Sequence, residues 1–158
     1  MSAMPEVIVR AHFERELPRA RECARTLGWD WTEDLNALTT RVIYTARDGE
    51  RFILQGTFDD YKAKPPFLEF EDPDTGQLGT VHAYPKGHDS LFHPTGPCIC
   101  APFSRKAYRN VHTTWRYEDW TTTKESNVRW AQFSTMAGMF WLIHTRLEHP
   151  DYYKGRMV

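Results

Sequence analysis

Two β-rich segments joined by a tight turn constrain the fold more than any other feature of the sequence. Residues 37–46 are rich in Thr, Val, Ile and Tyr, and a second apolar run covers residues 51–57. Both have the composition typical of strands. The residues between them, 47–50, contain an Asp-Gly pair, which favours a β-hairpin. The sequence therefore predicts an antiparallel hairpin here.

Two more strands are predicted after the hairpin. Phe67, Leu68 and Phe70 suggest a third strand, which ends at the turn residues 72–76, and residues 78–84 suggest a fourth. Short turns connect all four segments. We therefore expect a four-stranded antiparallel meander.

An N-terminal helix is predicted over residues 16–27, before the meander. Pro18 suits its first turn and Gly28 lies just past its end. Residues 1–15 are compatible with either an extended arm or the start of a helix. The apolar residues that recur at helical spacing are Leu17, Ala20, Ala24 and Leu27.

A long helix is predicted near the C-terminus. Thr122 and Glu125 have the spacing of a capping box, and Pro150 ends the apolar pattern that follows. Around residues 139–143 this helix is apolar on all sides, which predicts burial against the sheet on one face and against the first helix or a partner on another. The apolar residues are Val128, Ala131, Phe133, Met136, Ala137, Phe140, Ile143 and Leu147.

Length and charge exclude several classes of protein. The 158 residues, 41% of them hydrophobic, fit one domain spanning residues 1–158. A net charge of −1, from 20 Lys and Arg against 21 Asp and Glu, provides no basic field for nucleic acid. No apolar run approaches the length of a membrane span. We expect neither a nucleic-acid partner nor a membrane.

The number of cysteines and the N-terminal sequence suggest a compartment. Three cysteines is an odd number, and residues 1–10 lack the basic start and apolar run of a signal peptide. A disulfide framework is therefore not expected. The sequence predicts a protein of the reducing cytoplasm.

Residues 92–102 are the predicted site of chemistry. Pro94 and Pro97 fix their own φ, and Gly96 between them tolerates positive φ. Such a loop holds Cys98 and Cys100 in a rigid, non-helical segment. Three interpretations are open for these thiols: a reactive thiol, a metal ligand or an inert packing residue. The setting favours the reactive thiol over packing.

A zinc site is the main alternative to a reactive cysteine. Cys98, Cys100 and His93, joined by His88 or His82, offer the thiolate and imidazole ligands that zinc prefers. Cys-x-Cys is not the usual spacing of a structural zinc site, and no second cysteine pair follows. We therefore expect neither a metal nor another cofactor.

Several motifs occur in an order known from one family. The run 58–70 places Phe58, Tyr61 and a Pro-Pro pair before the third strand, and His93-Pro94 is followed by Ile99-Cys100. The order of predicted elements is a helix, a four-strand meander, a cysteine loop and a long helix. In both respects the chain resembles the ubiquitin-conjugating enzymes.

Two C-terminal features extend this resemblance. Trp120 precedes the long predicted helix, as the tryptophan of the family's Trp-Ser-Pro motif does, and residues 147–151 resemble the family's Leu-rich end with Pro-Asn. The match covers residues 16–151. The chain is similar to the divergent bacterial branch of this family, whose members are found in ubiquitin-like conjugation operons that are often linked to antiviral defence.

The resemblance implies a fold and an activity. The implied fold is α+β and UBC-like, and it lacks the last two helices of the family. The implied activity is that of a transferase: Cys100 accepts a ubiquitin-like modifier from an activating enzyme as a thioester and passes it to a target protein lysine. A member of the same fold that only binds the modifier, without catalysis, is another alternative.

Site residues also follow from the resemblance. Cys100 is the implied catalytic cysteine and His93 belongs to the same motif, but Thr95 stands where the family has an oxyanion-supporting Asn. The tetrahedral intermediate needs hydrogen-bond donors. The Thr95 hydroxyl, the Asn110 side chain and loop N–H groups are all open candidates for this role.

Cationic side chains follow the cysteine loop. Nearby positive charge favours the thiolate form of a cysteine, and the segment 104–120 is predicted to be a long irregular loop. A solvated loop with scattered charges is an equally open interpretation for any one of its cations, which are also candidates to act on Cys100 in this way. They are Arg105, Lys106, Arg109 and His112.

Overall fold

The computed structural model describes residues 3–87, 91–120, 130 and 135–158. It has the predicted α+β organisation, with an N-terminal helix, a four-stranded antiparallel sheet and a C-terminal helix. The elements are α1 (Glu6–Leu27), β1 (Asp30–Asp34), β2 (Thr39–Thr45), β3 (Arg51–Thr57), β4 (Phe67–Glu71), β5 (Pro85–Gly87), α2 (Arg105–Asn110), α3 (Met136–Glu148) and β6 (Tyr153–Arg156).

The main sheet is a meander with the order β1-β2-β3-β4. The predicted hairpin is confirmed, since β2 and β3 pair from Thr45 opposite Arg51 onwards. Alternate residues of these strands are buried, as one-sided packing of a sheet requires. Gly56 is needed on this face, because a Cβ there would lie 2.7 Å from Thr40 Oγ1.

One strand of the meander was assigned to the wrong segment. Residues 78–84 do not form the predicted fourth strand, since Gly79 adopts φ 79° and Val81–Ala83 form a 3-10 turn. The additional strand is instead β1, which pairs with β2 at the other edge of the sheet. The sequence of β1, Asp-Trp-Thr-Glu-Asp, is acidic and its side chains are exposed or half-buried, so no apolar alternation marked it.

Helix α1 begins ten residues earlier than the predicted helix. Glu6 is its first residue, so most of the 1–15 segment is helical and Pro18 lies inside the helix rather than in its first turn. Val9 and Phe13 are buried four residues apart and extend the predicted apolar stripe. Gly28 ends the helix in the left-handed conformation as predicted, with φ 76°.

Helix α3 begins at Met136. The preceding Thr135 is extended, and its hydroxyl caps the helix by accepting the Gly138 N–H at 3.1 Å. The predicted start at Thr122 and Glu125 lies outside the described residues. The helix is buried against the sheet as predicted, because Tyr44 OH donates to the Phe140 carbonyl at 3.0 Å.

The chain after α3 returns to the region that precedes the cysteine loop. β6 pairs antiparallel with β5, and residues 149–158 contain no helix. A Cβ on Gly87, the last residue of β5, would lie 2.6 Å from Phe92 Cβ. This close approach holds the start of the cysteine loop against β5.

Within the described residues, no helix is both long and apolar enough to cross a membrane.

Candidate active site

The cysteine loop is a small hairpin. Phe92 and Ile99 form an antiparallel bridge. On either side of this bridge the Cys100 N–H donates to the Leu91 carbonyl at 2.6 Å and the His93 N–H donates to the Cys98 carbonyl at 3.1 Å. Phe92 and Ile99 are fully buried. The loop is therefore anchored in the core, and the backbone at Cys100 is held in a fixed position.

Cys100 lies next to a histidine. Its Sγ is 4.0 Å from Nε2 of His112, and both residues are half-buried. Helix α2 explains how the chain brings them together. Val111 and His112 both donate their N–H groups to the Ala107 carbonyl, at 2.9 and 2.8 Å, so the chain folds back at the end of the helix.

Two tryptophans hold the His112 ring. Trp115 stacks on it with a centroid separation of 3.9 Å and an interplanar angle of 10°. Trp120 meets it edge-on at 4.5 Å. The indoles fix the plane of the imidazole, which leaves Nε2 directed at the thiol. The sequence named His112 only as one cation among four, and the ring contacts depend on a fold-back that no spacing rule reveals.

The environment of His112 favours its neutral form. Burial lowers its pKa below the ordinary value, and the nearby His93 lowers the pKa further by repulsion between imidazolium charges. A neutral imidazole next to a thiol accepts a proton and is therefore a general base. In this geometry His112 can act toward Cys100 as a base rather than as a fixed positive charge.

Cys98 has the opposite character. It is 5% exposed and packs with Ala107, Tyr108 and Trp120. Burial raises the pKa of this thiol to about 12, and a thiol that stays protonated is a poor nucleophile. The hairpin therefore separates an inert cysteine from a half-buried one two residues later.

His93 and Thr95 form a contact within the loop. The Thr95 N–H lies 3.3 Å from Nδ1 of His93, and the Thr95 hydroxyl lies 3.4 Å from the same nitrogen. Thr95 therefore orients the His93 ring. Asn110, the other side chain considered for the oxyanion, is exposed at the end of α2, two residues before His112.

Two of the four predicted cations are used elsewhere. Arg105 is buried and binds Asp59 with Nη1 at 2.9 Å, and Lys106 is buried in an ion pair with Glu69 at 2.5 Å. Carboxylates neutralise both charges. The segment that carries them is not a long irregular loop either, because residues 105–110 form α2. The ion pairs of Arg105 and Lys106 thus connect α2 to residues far away in sequence, and these two cations do not act on Cys100 as expected.

A cleft of about 350 Å³ opens beside Trp115. Its wall combines aromatic rings with charged groups of both signs, among them Asp60, Glu118 and Arg109. The guanidinium carbon of Arg109 lies 5.3 Å from the ring centre of Phe67. Because Trp115 also stacks on His112, the cleft lies near the Cys100–His112 pair. The lining includes Lys64, Tyr108, Arg109, Trp115 and Tyr117.

The described part of the chain contains no set of ligands for the alternative zinc site. Over residues 3–87, 91–120, 130 and 135–158, no three His, Cys, Asp or Glu side chains are grouped to hold a metal ion. The Nε2 atom of His82 instead lies 3.5 Å from Oδ2 of Asp74. His88, the other ligand considered, lies outside these residues. Cys23, Cys98 and Cys100 form no disulfide.

Comparison with known proteins gives no assignment for this chain. No protein-family model matches it, and no curated protein matches it.

Proposed function

We propose that this protein is a conjugating enzyme for a ubiquitin-like modifier. Cys100 accepts the modifier from an activating enzyme as a thioester and passes it to the amine of a target lysine. The proposal combines the resemblance of residues 16–151 to ubiquitin-conjugating enzymes with one observation, the 4.0 Å separation of Cys100 Sγ and His112 Nε2. On this proposal the protein works in the cytoplasm of a bacterium, in an antiviral conjugation system.

The first step is a thioester exchange. The Cys100 thiol gives its proton to His112, and the sulfur attacks the carbonyl carbon of the modifier's thioester on the activating enzyme. The bond from that carbon to the activating enzyme's sulfur breaks, and the released thiolate takes the proton from His112, which is neutral again for the next step. His112 suits this step because it is neutral and lies beside the thiol.

The second step is aminolysis. The lysine amine attacks the thioester carbon, His112 takes a proton from the amine, and the bond to Cys100 Sγ breaks to leave an isopeptide. Each step passes through a tetrahedral oxyanion, which hydrogen-bond donors must stabilise. The Thr95 hydroxyl, the Asn110 amide and the loop N–H groups remain the candidates for that role.

A charging experiment tests the proposal. The chain is incubated with an activating enzyme, its ubiquitin-like modifier and ATP, and the products are separated with and without a thiol reductant. We expect an adduct that the reductant cleaves, since thiols exchange readily with thioesters. Cys100→Ser should abolish it or leave a slow, reductant-resistant ester, because serine without a strong base is a weak nucleophile.

The other two cysteines provide matched controls. Cys23→Ser and Cys98→Ser should both retain the reducible adduct, although Cys98→Ser is expected to slow its formation by disturbing the buried packing around Trp120. A reducible adduct that survives Cys100→Ser and disappears with Cys98→Ser would show that Cys98, and not Cys100, carries the modifier. If all three single variants retain it, the thioester mechanism is wrong. A non-catalytic binding module would bind the modifier without any adduct.

A further inference from the structure

We propose that the Cys100–His112 pair also hydrolyses acyl groups bound to Cys100, which makes the protein a slow esterase and thioesterase. This activity goes beyond the conjugation proposed above, although both use Cys100. It requires no activating enzyme, no modifier and no target. Its substrates are small, unhindered esters and thioesters with a good leaving group.

The geometry supports formation of an acyl-enzyme. Nucleophilic catalysis by cysteine needs a base within hydrogen-bond reach, and such contacts are often loose without substrate. His112 Nε2 lies 4.0 Å from the sulfur, and the two indoles hold its ring in that direction. The Cys100 thiol gives its proton to His112 and the sulfur attacks the acyl carbon. The bond to the leaving group breaks, and the leaving group departs as an anion.

The same histidine supports the hydrolytic step. Once Cys100 is acylated, His112 releases to solvent the proton that it took from the thiol, and its Nε2 then accepts a proton from a water molecule. The water oxygen attacks the acyl carbon, the bond from carbon to sulfur breaks, and a carboxylic acid leaves. The Cys100 sulfur recovers its proton from His112, which restores the starting state.

Water has access to this position. Cys100 and His112 are only half-buried, and the Trp115 ring that covers one face of the imidazole is 42% exposed. A transferase that delays hydrolysis needs a site from which water is excluded. Because neither Cys100 nor His112 is fully buried, a water molecule and an acceptor amine compete for the acyl carbon.

The first experiment uses the purified protein alone with p-nitrophenyl acetate. We expect a burst of p-nitrophenolate equal to one acyl group per chain, followed by steady turnover. Cys100→Ala should remove the burst and the turnover. His112→Gln should still become acetylated on Cys100, as seen by intact mass, but deacylate about 100-fold more slowly, the lower range for a lost general base.

Matched variants separate this effect from a general loss of structure. His149→Gln changes an exposed histidine that pairs with Asp151 near the C-terminus, and Cys23→Ser changes a cysteine on α1; both should behave like the unmodified chain. Far-ultraviolet circular dichroism checks that every variant folds. Turnover that persists in Cys100→Ala, or equal deacylation rates for His112→Gln and the unmodified chain, would overturn the proposal.

The pH dependence of the unmodified chain gives a test that needs no variant. The titratable groups that face His112 among the described residues are Cys100 and His93. Deacylation should rise with pH as the imidazole loses its proton, with a midpoint below the ordinary histidine value, and then level off. A rate that rises in proportion to hydroxide across this range would mean that no histidine takes part, and would overturn the proposal.

The two proposals fail separately. Loss of ester hydrolysis with retained charging by an activating enzyme would leave conjugation intact and remove the hydrolytic activity. Ester hydrolysis that depends on Cys100 and His112, without any charging, would indicate an acyl hydrolase and remove the conjugating function.

Discussion

Trp29 donates its indole N–H to Nδ1 of His144 over a distance of 3.0 Å. This bond joins the residue before β1 to the middle of α3, which follows it by more than a hundred positions. The two rings also pack, with centroids 5.6 Å apart. Because Nδ1 has to accept the bond, His144 must be unprotonated at that nitrogen in the folded protein.

The Trp29–His144 bond makes stability depend on pH. Burial lowers the pKa of His144 in the folded state, so the unfolded chain binds a proton more readily. His144 therefore makes its full contribution to the free energy of unfolding above the ordinary histidine pKa of about 6.5. This contribution is lost as the pH falls below that value. His112 acts in the same direction, because its pKa is also lowered. We expect the urea midpoint to drop between pH 7.5 and pH 5.5.

Trp29→Phe separates the hydrogen bond from the packing. It removes the donor and keeps an aromatic ring, and we expect a loss of about 1 kcal/mol in the free energy of unfolding at pH 7.5. The acid-dependent part of the urea midpoint should shrink in this variant, since His144 then has less to lose on protonation. An unchanged pH dependence would show that the burial of His144, and not its hydrogen bond to Trp29, carries the effect.

Glu16 joins three segments through one carboxylate. Its Oε1 accepts the Met136 N–H at the start of α3 at 2.7 Å and the Tyr61 hydroxyl at 3.1 Å, while Oε2 pairs with Lys62 at 2.7 Å. We expect Glu16→Ala to lower the free energy of unfolding by about 3 kcal/mol, because a largely buried pair and a helix N-terminus both lose their partner. Glu16→Gln keeps an oxygen acceptor and should lose about half as much. Equal losses for both variants would mean that the charge alone matters.

The parts of the fold that the sequence predicted depend on local signals. The Asp-Gly turn defined the hairpin of β2 and β3, and its register follows because Thr45 and Arg51 flank the turn. Strand β1 was missed because only Trp31 in it is a large apolar residue. The strand predicted at residues 78–84 failed because positive φ at Gly79 turns the chain where β-rich residues continue. Tertiary context decided both cases.

The candidate site was predictable only in part. Cys100 stood out because Pro and Gly residues surround it and because it belongs to the Ile99-Cys100 pair that follows His93-Pro94. The pairing with His112 was not predictable, because it requires α2 to form and end between the two residues. The burial of Arg105 was also hidden, since its partner Asp59 is 46 residues away.

Arg105 fastens the segment before β4 to α2. Its guanidinium donates to Asp59 Oδ1 at 2.9 Å, to the Asp59 carbonyl at 2.7 Å and to the Pro65 carbonyl at 2.8 Å. Arg105→Lys keeps the charge but not the planar fork. We expect it to reduce the free energy of unfolding by about 2 kcal/mol in urea titrations. Asp59→Asn, which leaves both backbone acceptors in place, should cost about 1 kcal/mol; a larger loss than that of Arg105→Lys would contradict this account.

The two cysteines of the hairpin should differ sharply in alkylation. Cys98 is 5% exposed and burial raises its pKa to about 12, whereas Cys100 is half-buried beside a neutral histidine. Because only the thiolate reacts, and each pH unit below the pKa reduces the thiolate fraction about tenfold, we expect iodoacetamide at pH 7.5 to label Cys100 at least about 100-fold faster than Cys98. Peptide mass spectrometry of a time course measures both rates in one sample. In denaturant the two rates should converge, since neither environment then exists. Comparable rates in the folded protein would show that the hairpin does not protect Cys98.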